Sequence, residues 1–320
     1  MKKLLFLLLV FTFSVNYIYS QGKISSKVFF NYSYNSDNTP TNEFELDRVY
    51  LSYGNKISDN LSYKFTSDVG RFSTGKDDRL SIYLKNAMLT WSTDYGKFVF
   101  GLQGMNMFNV QEKNWGYRFI EKSPQDLFKF ASSADLGIGY YNKLSKDVNF
   151  SFLITNGSGY KKSENDNFKK FSLQLVYGPS KLKDGFNIGG AVSLEPYDYV
   201  VAADTTTENK VVFGGFGAYA NKHFKLGAEY NIYNIGGTNV TKNILSGYVN
   251  INLSKTTHLF ARVDVFDPNT DTSNDGLTYI VGGFNFMNGK SLSIAPNIKY
   301  TKPQTGNSST TVGVNFQFVY

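Results

Sequence analysis

The chain has no cysteine and only two histidines, His223 and His258, in 320 residues. No thiolate is therefore available as nucleophile, metal ligand, disulfide half or lipid-modified terminus. The histidines stand far apart, one in a turn and one at a strand start, with no Ser-His or Cys-His pattern that would activate a nucleophile. Gly215, Gly217 and Ala220 fit G-x-G-x-x-A, but a dinucleotide fingerprint must open a helix, and these glycines sit in a strand-like run. Asp267, Asn269 and Asp271 begin like a calcium loop, yet Thr272 replaces the glycine and Thr278 the bidentate glutamate. No catalytic residue, metal or cofactor is expected.

What remains is charge without covalent chemistry. Lysine and arginine number 33 against 26 acids, a formal net charge of +7, too mild an excess to imply nucleic acid. The densest mixture lies in 105–133, where Glu112, Lys113, Arg118, Glu121, Lys122 and Asp126 alternate with Phe108, Trp115, Tyr117, Phe119, Phe128 and Phe130. Nearly thirty residues is long for a connector, which favours a functional or self-packed loop. Aromatics can pack such a loop against a wall while its charges set a field across a constriction. Arg118 and Lys122 are expected to face Glu121 or Asp126 there. The bland alternative is an extracellular cap with solvated charges.

A wall must surround that loop, and the rest of the sequence supplies one. Phe224, Leu226, Ala228, Tyr230 and Ile232 alternate with Lys225, Gly227, Glu229, Asn231 and Tyr233, and Leu259, Ala261, Val263 and Val265 with His258, Arg262 and Asp264. Period two places the two sets on opposite faces of a sheet. About sixteen such segments occur, near 23–34, 43–54, 60–70, 80–92, 95–104, 134–142, 147–155, 168–178, 184–195, 210–220, 222–233, 242–253, 256–266, 275–287, 290–300 and 309–320. No window keeps a helical period. Short turns alternate with longer connectors at about 35–42, 71–79, 105–133, 156–167, 196–209, 234–241, 267–274 and 301–308. Of the seven prolines only Pro296 falls inside an expected strand, where its missing N–H predicts a bulge or a local break.

Even strand number, segments of roughly ten residues and alternating connector lengths are the signature of an outer-membrane barrel. Hydrocarbon offers no partner to backbone polar groups, so a sheet there must close on itself. The expected fold is all-β, a transmembrane antiparallel up-and-down barrel spanning 21–320 as one domain, with both termini on the periplasmic side. A secreted β-sandwich shares the period but has no reason to sort its connectors by length. Lys2 and Lys3 before the ten-residue run Leu4 to Phe13, only Thr12 of which is not apolar, read as a signal peptide over 1–20. Removing those two lysines leaves 31 basic against 26 acidic residues.

If the apolar register faces lipid, Arg48, Lys64, Lys97, Lys170, Lys225, Arg262 and Lys299 face inward against Asp68, Asp135, Glu195, Glu229 and Asp264. Seven minus five leaves a small positive surplus. Each of these residues serves equally well as a lumen salt bridge that stiffens the wall. Lys85 and Lys210 lie in segments of ambiguous register.

The last segment carries Val312, Val314, Phe316, Phe318 and Tyr320 on one face and ends on the aromatic Tyr320. Together with the layout of 21–320, the stretch from Phe44 to Tyr53 (FELDRVYLSY), Gly101 to Gly104 (GLQG), and Trp115 to Phe119 (WGYRF) ahead of Ser133 to Gly137 (SADLG), this resembles sixteen-stranded outer-membrane porins, most closely the phosphate-selective O/P-type porins of Gram-negative bacteria. The resemblance implies a loop after the fifth strand that folds into the lumen, a homotrimer in outer-membrane lipid and lipopolysaccharide, and recognition of the terminal strand by the barrel-assembly machinery. Phosphate-selective members line their pore with arginines, and this chain has five, Arg48, Arg71, Arg79, Arg118 and Arg262. The expected function is passive diffusion of small hydrophilic solutes and ions, with at most a weak preference for small or phosphate-like anions. An outer-membrane barrel enzyme and a surface adhesin or docking protein are the alternatives.

Overall fold

A computed structural model describes residues 22–36, 40–74, 77–202 and 204–320; the expected signal peptide lies outside them. The sixteen strands expected from the period are all present, and they close into one antiparallel barrel in which each strand pairs with its sequence neighbours and the first with the last. They are β1 (Lys23–Asn35), β2 (Thr41–Lys56), β3 (Leu61–Thr74), β4 (Asp77–Thr93), β5 (Gly96–Gly104), β6 (Ala134–Lys143), β7 (Val148–Thr155), β8 (Lys170–Tyr177), β9 (Gly185–Val201), β10 (Asp204–Ala220), β11 (Phe224–Ile235), β12 (Val240–Asn252), β13 (Thr257–Asp267), β14 (Leu277–Asn288), β15 (Leu292–Pro303) and β16 (Ser309–Val319). Closure leaves no strand edge along the ring, which is what a sheet in hydrocarbon requires. Alternation sorts the faces as the sequence implies: Leu226, Leu245, Val263 and Ile298 are exposed outside, whereas Asn231, Ser246, Arg262 and Asp264 are buried within.

Three expectations change and one, at Pro296, is met. The connectors near 71–79 and 196–209 are largely strand, because β3 and β4 pair out to Thr74↔Asp77 and β9 and β10 to Val201↔Asp204. These extensions carry polar β-branched residues such as Thr205, Thr206 and Thr207, which favour extended backbone without the apolar alternation that marks a lipid-facing strand. Pro196 accordingly stands inside β9, beyond the point where β8 stops pairing at Phe171↔Leu194, and Pro303 is the last residue of β15. Two helical turns, α1 (Asn109–Trp115) and α2 (Pro124–Leu127), interrupt the long loop and are too short to show a period. At Pro296 the ladder with β14 lapses between Gly283↔Asn297 and Phe286↔Ile294 while that with β16 continues, which is the local break expected there.

The ambiguous register of 80–92 has a cause. Opposite Thr66 and Ser67, β4 contributes one extra residue, Lys85, and opposite Phe29 and Phe30, β2 contributes Asp47. Each bulge sets two adjacent side chains toward the lumen, Lys85 with Asn86 and Asp47 with Arg48. Between β2 and β3 the backbone ladder runs only from Lys56↔Ser62 to Leu51↔Ser67. Just beyond it, Arg48 reaches across to Asp68 at 3.1 Å.

Candidate functional site

The segment 105–133 lies inside the barrel. Its apolar side chains need a seat, and the wall provides one by breaking its own rule: Phe29, Phe260, Val281 and Ala295 point inward and enclose Trp115, Tyr117, Phe119 and Ile120. A second seat, formed by Ala191, Val212 and Ile244, takes Met107, Phe108 and Phe130. Trp115 packs edge-on against both Tyr248 and Phe260, a favoured aromatic geometry.

Buried loop backbone must also find partners, and the wall donates them. Asn250 of β12 bonds the carbonyl of Trp115 at 2.9 Å, Asn315 of β16 that of Phe119 at 3.0 Å, Lys299 of β15 that of Ile120 at 2.9 Å and Arg262 of β13 that of Lys122 at 2.7 Å. Side chains add Asn114 to Asn187 at 2.9 Å and Gln125 to Asn231 at 2.7 Å, the latter amide donating in turn to Glu229 at 2.9 Å. Glu121 is the most heavily held. It accepts from the Tyr279 hydroxyl at 2.5 Å and the Lys122 N–H at 3.0 Å, and pairs with Lys299 at 3.1 Å. Burial acts to raise its proton affinity, but Lys299, Tyr279 and Arg262 outweigh it and hold the carboxyl below its ordinary range.

These ties draw the loop toward the far wall and leave open space beside β1–β4. Arg118 borders two cavities there, one of about 640 Å³ toward the short turns and one of about 260 Å³ toward the long loops. Its guanidinium pairs within the loop, with Glu112 at 3.0 Å and Asp126 at 3.2 Å. Opposite stand Arg48, bonded to Asp68 and to the Tyr83 hydroxyl at 3.0 Å, and Lys85, 5.0 Å from the ring centroid of Tyr50 and 5.2 Å from that of Tyr160. Lys161 covers Tyr83 at 4.9 Å. Cations on aromatic faces keep their charge exposed to a passing solute on the opposite side.

The residues expected at the site are therefore placed in several settings. Arg118, paired with Asp126, meets Lys122 and Arg48 at the smaller cavity, with Lys113 and Lys64 on the larger one. Glu121 is turned to the wall, so the facing pair is Arg118 with Glu112 and Asp126, all on the loop. Arg262, 1% exposed beside Asp264, lies buried beneath the loop, Lys170 is buried on the wall in a pair with Glu195 at 3.0 Å, and Lys299 serves the loop anchor and also borders the smaller cavity. Lys97 rests on Tyr141 at 4.8 Å and Lys225 borders a separate recess. Sequence reasoning missed Asp47, Tyr50, Tyr83, Lys161 and the placement of Lys85. Its one usable signal was the interruption of period two that the bulges impose.

Other motifs have structural uses. Gly215 and Gly217 lie in β10, paired with Gly190 and Ile188 of β9. Asp267 accepts the N–H of Asn269 at 3.0 Å, and Asn269 bonds Thr272 at 2.8 Å, so these side chains build their own turn. Among the described residues no group of three histidines or acids converges as a metal site.

No protein-family model and no curated protein sequence matches the chain. Solved structures do. OprB of Pseudomonas putida superposes with a TM-score of 0.69 at 10% identity, over 94% of each chain. An anion-selective porin from Comamonas acidovorans gives 0.65 at 12% identity over 93% of this chain and 99% of that one. The trimer form of OmpT, an outer membrane protein of Vibrio cholerae, gives 0.65 at 12% over the same shares. The chain thus has the fold of these sixteen-stranded outer-membrane barrels along nearly its whole length.

Proposed function

We propose that the protein is an outer-membrane porin, a water-filled channel for passive diffusion of small hydrophilic solutes and ions. The observation that carries this reading is the loop 105–133, held inside a closed barrel so that charge-lined space remains along β1–β4, with Arg118 bordering the cavities on either side. A barrel that only anchored an enzyme or an adhesin would have no use for a loop of paired charges held inside it. Among the described residues the two cavities are lined by the cations Lys27, Arg48, Lys64, Lys85, Lys113, Arg118, Lys122, Lys181 and Lys299 against the carboxylates Glu45, Asp47, Glu112 and Glu121, which supports a weak preference for small anions. The anion-selective porin and the trimeric barrel among the similar structures support the same preference and a homotrimer in outer-membrane lipid and lipopolysaccharide. The terminal strand ending at Tyr320 then serves the assembly machinery, and residues 1–20 the export signal.

Recording from the purified protein in planar bilayers tests the reading. Discrete conductance steps are expected, with a reversal potential in a salt gradient that favours anions. Arg118→Ala together with Lys122→Ala is expected to widen the passage and shift selectivity toward cations. Absence of any steps would sink the porin reading and return attention to an enzyme or an adhesin.

A further inference from the structure

We propose that the seam between β2 and β3 is a lateral portal, where a single-chain amphiphile lies with its anionic head in the lumen and its tail in the bilayer. This goes beyond diffusion of water-soluble solutes along the barrel axis. Two aromatic pairs mark the depth of the seam. On the turn side Tyr53 of β2 meets Tyr63 of β3 with ring centroids 5.9 Å apart, and on the loop side Tyr32 of β1 meets Phe44 of β2 at 4.8 Å. Such rings gather at the two membrane interfaces. Phe44 lies nine positions before Tyr53, and at about 2.5 Å of depth per residue of a tilted strand that interval covers most of an apolar band roughly 25 Å tall. The ladder between β2 and β3 ends at Leu51↔Ser67, inside this interval, although β2 extends to Thr41 and β3 to Thr74. On the other side, β4 loses β5 beyond Ala87↔Leu102 while it stays paired with β3 out to Asp77. The loop-side half of the β3–β4 hairpin is thus a two-stranded flap with no backbone ladder to either neighbour. A lone hairpin is marginally stable, and this one is jointed at its base by the Lys85 bulge opposite Thr66 and Ser67.

Side chains replace the bonds that β2 withholds. Val69 donates its N–H to the Asp68 carboxylate at 2.9 Å, and its carbonyl accepts from the Tyr83 hydroxyl at 3.0 Å. Arg48 ties this group to β2 through Asp68 at 3.1 Å and Tyr83 at 3.0 Å, and the Lys85 ammonium donates to the Ser133 hydroxyl at 3.3 Å. Arg48, Asp68, Tyr83 and Lys85 are polar and stand on the lumen side. The outer lips are apolar, with Leu51, Phe65 and Leu84 exposed outside the ring and Ile82 farther along the flap. Strand backbone without a partner at hydrocarbon depth is tolerated only where it meets protein or water, so the seam joins a wet lumen to the bilayer. A molecule lying across it is apolar at one end and negative at the other. Its tail packs against Leu51, Phe65 and Leu84, and its head pairs with the Arg48 guanidinium and the Lys85 ammonium. A wholly polar ion gains nothing from the lips, and an uncharged alkyl chain gains nothing from the two cations.

The experiment uses the full chain in lipid vesicles and a palmitate analogue that carries a photoreactive diazirine beside its carboxylate, with labelled residues read by mass spectrometry. Label is expected on the lumen-facing Tyr50 and Tyr83, at a concentration at least about tenfold lower than the butyrate counterpart requires. Arg48→Gln together with Lys85→Gln should reduce it roughly tenfold, whereas Lys242→Gln, on β12 and remote from the seam, should leave it intact. Because the protein lacks cysteine, Val49→Cys with Val69→Cys places thiols where the ladder would continue. Joining them with a reducible bifunctional thiol reagent should abolish the label, and reduction should restore it. Heat-shifted gel mobility establishes that each variant is folded. Label confined to outward residues such as Leu51 and Leu84, equal potency of the butyrate analogue, or label that survives either the double Gln variant or the joined thiols overturns the proposal. Label that enters only after a native oligomer is dissociated assigns the seam to a second copy of the chain and overturns it too. Intact labelling in a protein that shows no conductance steps overturns the porin reading instead.

Discussion

At the scale of single residues, two glutamates nine positions apart in the loop have their proton affinities moved in opposite directions. Glu112 is pushed above its ordinary pKa of 4.5, first by burial and then by Asp126, with Arg118 only partly offsetting them. Glu121 lies below 4.5 because its partners outweigh burial. The depressed group contributes stability that is complete above the unfolded value and is lost as pH falls through the lower folded one. Acidification from pH 7 should therefore neutralise Glu112 before Glu121, free one side of Arg118 and raise anion preference, while the Glu121 anchor persists to a pH below 4.5. Reversal potentials measured against pH should show that first step with a midpoint above 4.5, and Glu112→Gln should abolish it. An unchanged titration in that variant would refute the assignment. The loop charges were legible as a group in the sequence. Their pairing was not, because which of Glu112, Glu121 and Asp126 meets Arg118 depends on α1 and α2, and on Tyr279 and Lys299 from strands far along the chain.

At the scale of elements, the strands were readable because each must show lipid one face and water the other. Reading failed where that demand lapses. The tip of β10, from Asp204 to Lys210, is polar on both faces, and the loop helices are shorter than the period that would reveal them. The seats under the loop were hidden for a related reason: Phe260, Val281, Val212 and Ile244 face inward but are apolar, so they look like noise in a period-two pattern until something is known to rest on them. α1 ends at Gly116, whose φ of 80° is left-handed and whose N–H donates to the Glu112 carbonyl at 3.0 Å. A Cβ there would meet nothing closer than 3.9 Å, so the cost of Gly116→Ala is conformational alone, about 1 kcal/mol. The thermal midpoint in detergent should fall modestly in this variant. A large collapse would show that the turn carries packing not evident in its surroundings.

At the scale of the whole molecule, aromatics abound in a chain that is polar on average because two compositions interleave at every second residue. The outward set is the one that hydrocarbon must accept. Val263, near the middle of β13 and exposed outside the ring, should tolerate no charge: Val263→Arg is expected to cost about 2–4 kcal/mol of folding in lipid. Comparing urea unfolding of the two proteins in vesicles measures that cost, and a negligible difference would place Val263 outside the hydrocarbon. The inner surface follows a different economy. Asn250, Arg262, Lys299 and Asn315 grip the loop by its carbonyl oxygens at Trp115, Lys122, Ile120 and Phe119, groups that every amino acid possesses. The identity of the charged side chains at 112, 118 and 126 is thereby separated from the position of the loop. Descendants of this gene can exchange the charges at positions 112, 118 and 126 without refolding the barrel, and an engineer can treat those positions as a replaceable filter in a permanent frame.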